Sequence, residues 1–151
     1  MKRLALITGA TSGIGKATAE LFAQHQIDLI ICGRRSSRLN ELKKELEPLV
    51  NVKTLCFDIG IAIEVQDSLN SLSGRWKEID ILVNNAGGAH GLEPIVDGTF
   101  SDWDKMIDYN VKGLLSISKT LASWMIKRAQ GHIVNISSIA GKQTYKNGVV
   151  Y

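Results

Sequence analysis

The stretch "LALITGATSGIGKATAELF", residues 4–22, joins an apolar run to an amphipathic pattern through three glycines. Leu4–Thr8 has the continuous apolar character of a strand buried on both faces, and Ile14, Ala17, Leu21 and Phe22 fall on one helical stripe. The missing side chains of the turn have assignable uses. Gly9 permits the tight turn, Gly13 lets backbone approach a bound diphosphate, and Gly15 lets the helix pack closely on the strand. The start of such a helix offers free N–H groups and the positive end of a dipole to an anion. A glycine turn placed between a buried strand and a helix therefore reads as a dinucleotide-binding loop, with a purely structural turn as its alternative.

The same alternation continues along the chain. "IDLIIC" (27–32), "VKTLCFD" (52–58), "IDILVNN" (79–85) and "HIVNISS" (132–138) are further strand-like runs. Between them, Leu39, Leu42, Leu46 and Leu49 form a second helical stripe that Pro48 helps to close, and "VQDSLNSL" a weaker third. The fourth helix is expected over about residues 101–129, with Ser101 and Asp104 as a capping box and Lys127 and Arg128 at its negative end. Five strands and four helices alternating in this way predict an α/β class protein, a doubly wound parallel sheet in one domain over residues 1–151. Residues 87–100, containing "GGAHGLEP", make the one long connection and border the expected site.

Bulk properties narrow the class. With 44% hydrophobic residues, 22% charged and a net charge of +3, the chain is of globular composition, and its charge is too small and dispersed for a nucleic-acid footprint. The start "MKRLALITGA" has four apolar residues in its run, against about 7–15 in a secretion signal. No segment reaches the roughly 18 apolar residues of a membrane span. Cys32 and Cys56 lie in separate apolar runs, which reads as buried thiols in a reducing, cytoplasmic setting, and His25, His90 and His132 have no metal-ligand spacing. No metal is expected.

The second strand ends in "ICGRR". A carboxylate there would bind both ribose hydroxyls of NAD, whereas Arg34 and Arg35 suit the 2′-phosphate of NADP through charge-assisted bonds. Their alternative is a pair of surface arginines opening the second helix.

"TGATSGIG", "NNAG" at 84–87, Asn110 in "YNVKG", "NISS" at 135–138 and Tyr151, in that order, resemble the short-chain dehydrogenase/reductases, whose glycine spacing is G-x-x-x-G-x-G. "GRRSSRLNELKKEL", "IDILVNNAGGAHGLEP" and "DWDKMIDYNVKGL" are similar to the NADP-dependent 3-hydroxy acid (serine-type) branch of that family. The resemblance implies a Rossmann fold and hydride transfer between NADP(H) and a small 3-hydroxy acid. It extends cofactor contact from the glycines to Thr11, Ser12 and Ile14. Asp58, with Ile59 beside it, would accept from the adenine amino group or else serve as a strand-end turn residue. Asn84, Ala86 and Gly87 would line the cofactor and steady the fourth strand, or their small size would simply allow tight packing. Asn110 would hold a water of a proton relay or make a structural bond. Ser138 would orient the substrate carbonyl, ahead of Ser137, because 151 − 138 = 13 residues is the family's serine-to-tyrosine interval.

Tyr151 would be the acid–base residue. A free phenol has a pKa near 10, so about 0.1% ionises at neutral pH, and a neighbouring cation must favour the phenolate. The family places a lysine four residues after the tyrosine. Tyr151 is the last residue given, so the expectation is a chain missing the family's C-terminal strands and helices, with residues 132–138 as an exposed apolar edge. The competing function is a fragment that holds dinucleotide without turnover. The complete protein is expected to form homo-oligomers around a small-molecule substrate.

Overall fold

In the computed structural model, which describes residues 2–151, five parallel strands lie in the order β3-β2-β1-β4-β5. They are β1 Leu4–Ile7, β2 Asp28–Gly33, β3 Val52–Cys56, β4 Ile81–Asn84 and β5 His132–Asn135. Helices α1 Gly13–Gln24, α2 Ser36–Leu46 and α3 Ala62–Asn70 connect the first four strands, and α4 Phe100–Ile107 and α5 Leu114–Lys127 precede the fifth. Every strand–helix–strand crossover returns the chain to the same edge, so all five strand C-termini share one rim.

Both sheet faces are covered over β1, β2 and β4, with alternation deciding which side chain goes where. Leu4, Leu6, Ile30, Cys32 and Leu82 point into one core with α3 and α5, while Ala5, Ile7, Leu29, Ile31 and Val83 point into the other with α1 and α2. Leu39, Leu42 and Leu46 are buried from α2 as the stripe predicts, although Leu49 lies beyond the helix and is exposed.

Four expectations need correction. The buried face of α1 is Gly15, Ala19 and Ala23, whereas Ile14 and Leu21 are 60% and 51% exposed. Close approach to the sheet selects the smallest side chains, which a search for large apolar residues overlooks. Helix α4 starts earlier than expected: Thr99 is its cap, its Oγ1 accepting from the Asp102 N–H at 3.2 Å and donating to the Asp102 carboxylate at 2.9 Å. The bond from the Thr99 hydroxyl, followed by that from Lys105, holds the Asp102 carboxyl below its usual range. The long fourth helix is also interrupted. A π-helical turn, Asp108–Gly113, separates α4 from α5 and inserts the extra residue that such a turn accommodates. Finally, Cys32 is buried but Cys56 is exposed, and both are free thiols.

The strand N-termini are tied by ion pairs. Asp28, 1% exposed, accepts from Arg75 at 2.6 Å and from the Asn51 backbone at 3.0 Å. Asp80 accepts from Arg128 at 2.6 Å and from the Leu4 N–H at 2.9 Å. At the other sheet edge, β5 pairs with β4 alone, and Ile133 and Ile136 are each 37% exposed.

Replacing Asp28 by Ala leaves the Asn51 amide and a half-exposed Arg75 without their acceptor, and is expected to cost about 2–3 kcal/mol in urea unfolding. Burial raises the Cys32 pKa from its ordinary 9.0, so the unfolded chain releases that proton first and stability falls as pH rises above about 9. Thiol titration at pH 8 should find Cys56 reacting at once and Cys32 only on unfolding, and two fast thiols would contradict this packing.

Candidate active site

The sheet order reverses between β1 and β4, the place where crossovers leave in opposite directions and open a crevice. A cleft of about 500 Å³ lies there, lined by Gly9, Thr11, Ser12 and Ile14 from the glycine turn and Arg34 and Arg35 after β2. Phe57, Asp58 and Ile59 follow β3, Asn85, Ala86 and Gly87 follow β4, and Tyr109 comes from the π turn.

The crevice is shaped by one buried hydroxyl. Thr8, 1% exposed at the end of β1, accepts from the N–H groups of Asn85 at 3.0 Å and Ala86 at 2.9 Å and donates to the Val83 carbonyl at 3.4 Å. Asn85 answers by donating its Nδ2 to the carbonyls of Thr8 at 3.0 Å and Gly9 at 3.1 Å. The two loops on either side of the reversal are thus stitched backbone to side chain.

The glycines fit this seam unequally. A Cβ on Gly15 would collide with the Gly9 carbonyl oxygen and lie 2.5 Å from Asn85 Nδ2, so the helix start is pressed against the loop. Gly13 has φ +54°, and a Cβ there would meet nothing within 4 Å. Its backbone faces open space. Ser12, the N-cap of α1, makes no side-chain capping bond to the first turn. This combination of an open backbone face, a helix N-terminus and a cleft of this size fits a diphosphate and its attached nucleoside.

The predicted residues do not all meet. Asn84 is 3% exposed and points away from the cleft lining, donating to Ser118 Oγ and Asn135 Oδ1, both at 2.8 Å, while its own Oδ1 has no partner among the described residues. It ties β4 to β5 and α5. Asn110, in the π turn, pairs with one backbone unit: its Oδ1 accepts from the Gly88 N–H and its Nδ2 donates to the Gly88 carbonyl, both at 2.9 Å. Ser138 follows β5 on the same rim and caps a short 3₁₀ turn, Ile139–Gly141, accepting from the Ala140 N–H at 3.2 Å. Tyr151 is 40% exposed. Asn110, Ser138 and Tyr151 lie outside the cleft lining.

The arginines are held separately. Arg34 donates to the Tyr109 hydroxyl at 3.1 Å and approaches Asp58 at 3.5 Å, and Arg35 donates to Thr11 Oγ1 at 3.3 Å. Asp58 also accepts from the Gly60 N–H at 2.9 Å, closing a strand-end turn. Thr8, Asn85 and Tyr109 are the residues that sequence reasoning missed. The first two sit inside quoted motifs, so their neighbours' small size drew attention from their polar atoms, and Tyr109 gave no signal beyond adjacency to Asn110. Among the described residues no group of three or more His, Cys, Asp or Glu could hold a metal ion, and no helix is long and apolar enough to cross a membrane.

With this geometry established, comparison gives the class. Residues 3–151 match the short chain dehydrogenase family, and the chain belongs to it. It is 42% identical over 148 residues to NADP-dependent 3-hydroxy acid dehydrogenase YdfG of Salmonella typhi, covering 98% of this chain and 59% of that protein. It is 40% identical to sulfoacetaldehyde reductase 2 of Chromohalobacter salexigens, covering 60% of it. Among solved structures, serine dehydrogenase from Escherichia coli aligns with TM-score 0.90 at 41% identity, over 98% of this chain and 68% of that one. A closed form of serine dehydrogenase complexed with NADP+ aligns with TM-score 0.91 at 42% identity, over 98% and 59%. The chain therefore spans about three fifths of the length of the curated relatives it matches.

Thr8→Val keeps shape but removes the acceptor of two loop amides, and is expected to cost about 1–3 kcal/mol. Hydrogen exchange should show the Asn85 and Ala86 amides losing protection while β2 and β3 keep theirs; unchanged protection at both amides would refute the stitching role.

Proposed function

We propose that this chain is the dinucleotide-binding part of an NADP-dependent oxidoreductase that interconverts a small 3-hydroxy acid and its 3-oxo acid. The observation that carries the reading is the cleft at the strand-order reversal, bounded by a glycine turn on one side and by two arginines in place of a carboxylate after β2. Gly9, Thr11, Ser12, Gly13, Ile14 and Gly15 would hold the diphosphate. Arg34 and Arg35 would hold the 2′-phosphate, Asp58 and Ile59 the adenine, and Ala86 and Gly87 the nearer ribose. Asn84 would serve by bracing β4.

When bound, the nicotinamide of NADP supplies or accepts a hydride at a substrate carbon. The chain's own residues would handle the oxygen. The Ser138 hydroxyl oxygen is already taken by the Ala140 N–H, so its proton remains available to donate to a substrate carbonyl. Tyr151 would deliver a proton to that oxygen during reduction and remove it during oxidation. Asn110 would act by fixing Gly88, and with it the loop that closes the crevice above Gly87. The 3-hydroxy acid class is supported by the names of relatives and neighbours at about 42% identity. Homo-oligomers of the complete protein are supported by exposed apolar residues of α4 and α5, including Ile107 and Leu115. A reducing, cytoplasmic setting suits the two free thiols.

Titration with NADPH and NADH should give at least tenfold tighter binding of NADPH, and equal affinities would remove the arginine argument. In the complete protein, Ser138→Ala and Tyr151→Phe should each lower kcat/KM on a 3-hydroxy acid by about 10²–10⁴ while leaving NADPH affinity within twofold. Undiminished turnover by either variant would refute its assigned role.

A further inference from the structure

Tyr109 occupies a position for which the chain makes a specific allowance. Its ring rests against Gly60, where a Cβ would fall 2.5 Å from Cε1 and 2.6 Å from Cδ1. Any other residue at 60 would push the ring out of the cleft wall. The π turn contributes as well, because its widened backbone lets Tyr109 face the cleft while its neighbour Asn110 reaches Gly88.

The ring then organises a charged cluster. The Arg34 guanidinium carbon lies 5.2 Å from the ring centroid, over its face. The Tyr109 hydroxyl accepts from Arg34 Nη1 at 3.1 Å and donates to Asp58 at 3.4 Å, and the His90 ring meets Tyr109 edge-on at 5.9 Å. The other partner of Arg34 is Asp58, in a loose 3.5 Å ion pair, and with the ring in place the Arg34 side chain is 60% exposed. Arg34 makes both of its side-chain hydrogen bonds, to Tyr109 and to Asp58, through Nη1. Its Nη2 and Nε make no hydrogen bond among the described residues, and this is the edge that a phosphate accepts in a bidentate pair.

We propose that Tyr109, seated on Gly60, is the positioning residue that orients Arg34 and thereby sets the preference for a 2′-phosphorylated dinucleotide. The proposal rests on the NADP reading above. It predicts selectivity rather than affinity in general, because the ring acts through a side chain that only the extra phosphate engages. Holding Arg34 in one rotamer spares the ordering cost that a free arginine meets on binding.

The test is calorimetric titration of NADP+ and NAD+ into the 151-residue chain and its variants. Tyr109→Leu should weaken NADP+ by about tenfold and NAD+ by less than twofold. Tyr109→Phe keeps the aromatic face and should recover NADP+ affinity to within about threefold. Gly60→Ala displaces the same ring from outside and should reproduce the selective loss. In an Arg34→Ala background, Tyr109→Leu should have no further effect on NADP+. Equal weakening of both dinucleotides, unchanged NADP+ binding in Tyr109→Leu, or additive losses with Arg34→Ala would each overturn the proposal. A parent chain that prefers NADP+ while its Tyr109 variants keep that preference sinks this inference alone. A parent chain with no preference sinks the NADP reading along with it.

Discussion

The Thr8 hydroxyl is the constraint on which the cleft depends. Two strands adjacent in the sheet send their loops in different directions, and without a tie the backbone groups at their ends would face each other unpaired. One oxygen accepts from two amides of the loop after β4, and the Asn85 amide returns bonds to two carbonyls of the loop after β1. This closed circuit fixes the distance between the loops. Gly15 can then press against Gly9 and leave the backbone at Gly13 facing open space. The fit fails if any one of these parts takes on a larger side chain or loses its polar atom.

The fold was legible because it rests on period and punctuation. Buried parallel strands are apolar without interruption, and each of the five runs read in this way contains a strand of the sheet. Errors arose where the relevant quantity was size or phase. The sheet-facing side of α1 is made of Gly15, Ala19 and Ala23, while its larger residues Ile14 and Leu21 turn outward. Thr99 caps α4 two residues before the expected serine, since both positions satisfy the same spacing rule and only the course of the preceding loop separates them. The π turn had no sequence signature at all.

The candidate site was legible in its backbone-facing parts. Gly9, Thr11, Ser12, Ile14, Arg34, Arg35, Asp58, Ile59, Ala86 and Gly87 all line one cleft. Asn84 does not, because its position at the end of β4 turns it toward β5 rather than toward the loops. Thr8 and Tyr109 were invisible for a common reason: each acts through a partner brought close only by folding, 77 and 75 residues away in sequence. A motif search reads along the chain and does not see such pairings.

A sheet whose strands all run one way has two unlike rims. The loops that line the candidate cleft gather where the strands finish, and the carboxylates of Asp28 and Asp80, with their arginine partners, gather where the strands begin. These ion pairs and the candidate cleft thereby stand at opposite ends of the strands. A substitution among the ion pairs at the starting rim therefore acts on the domain's stability from a full strand length away from the cleft.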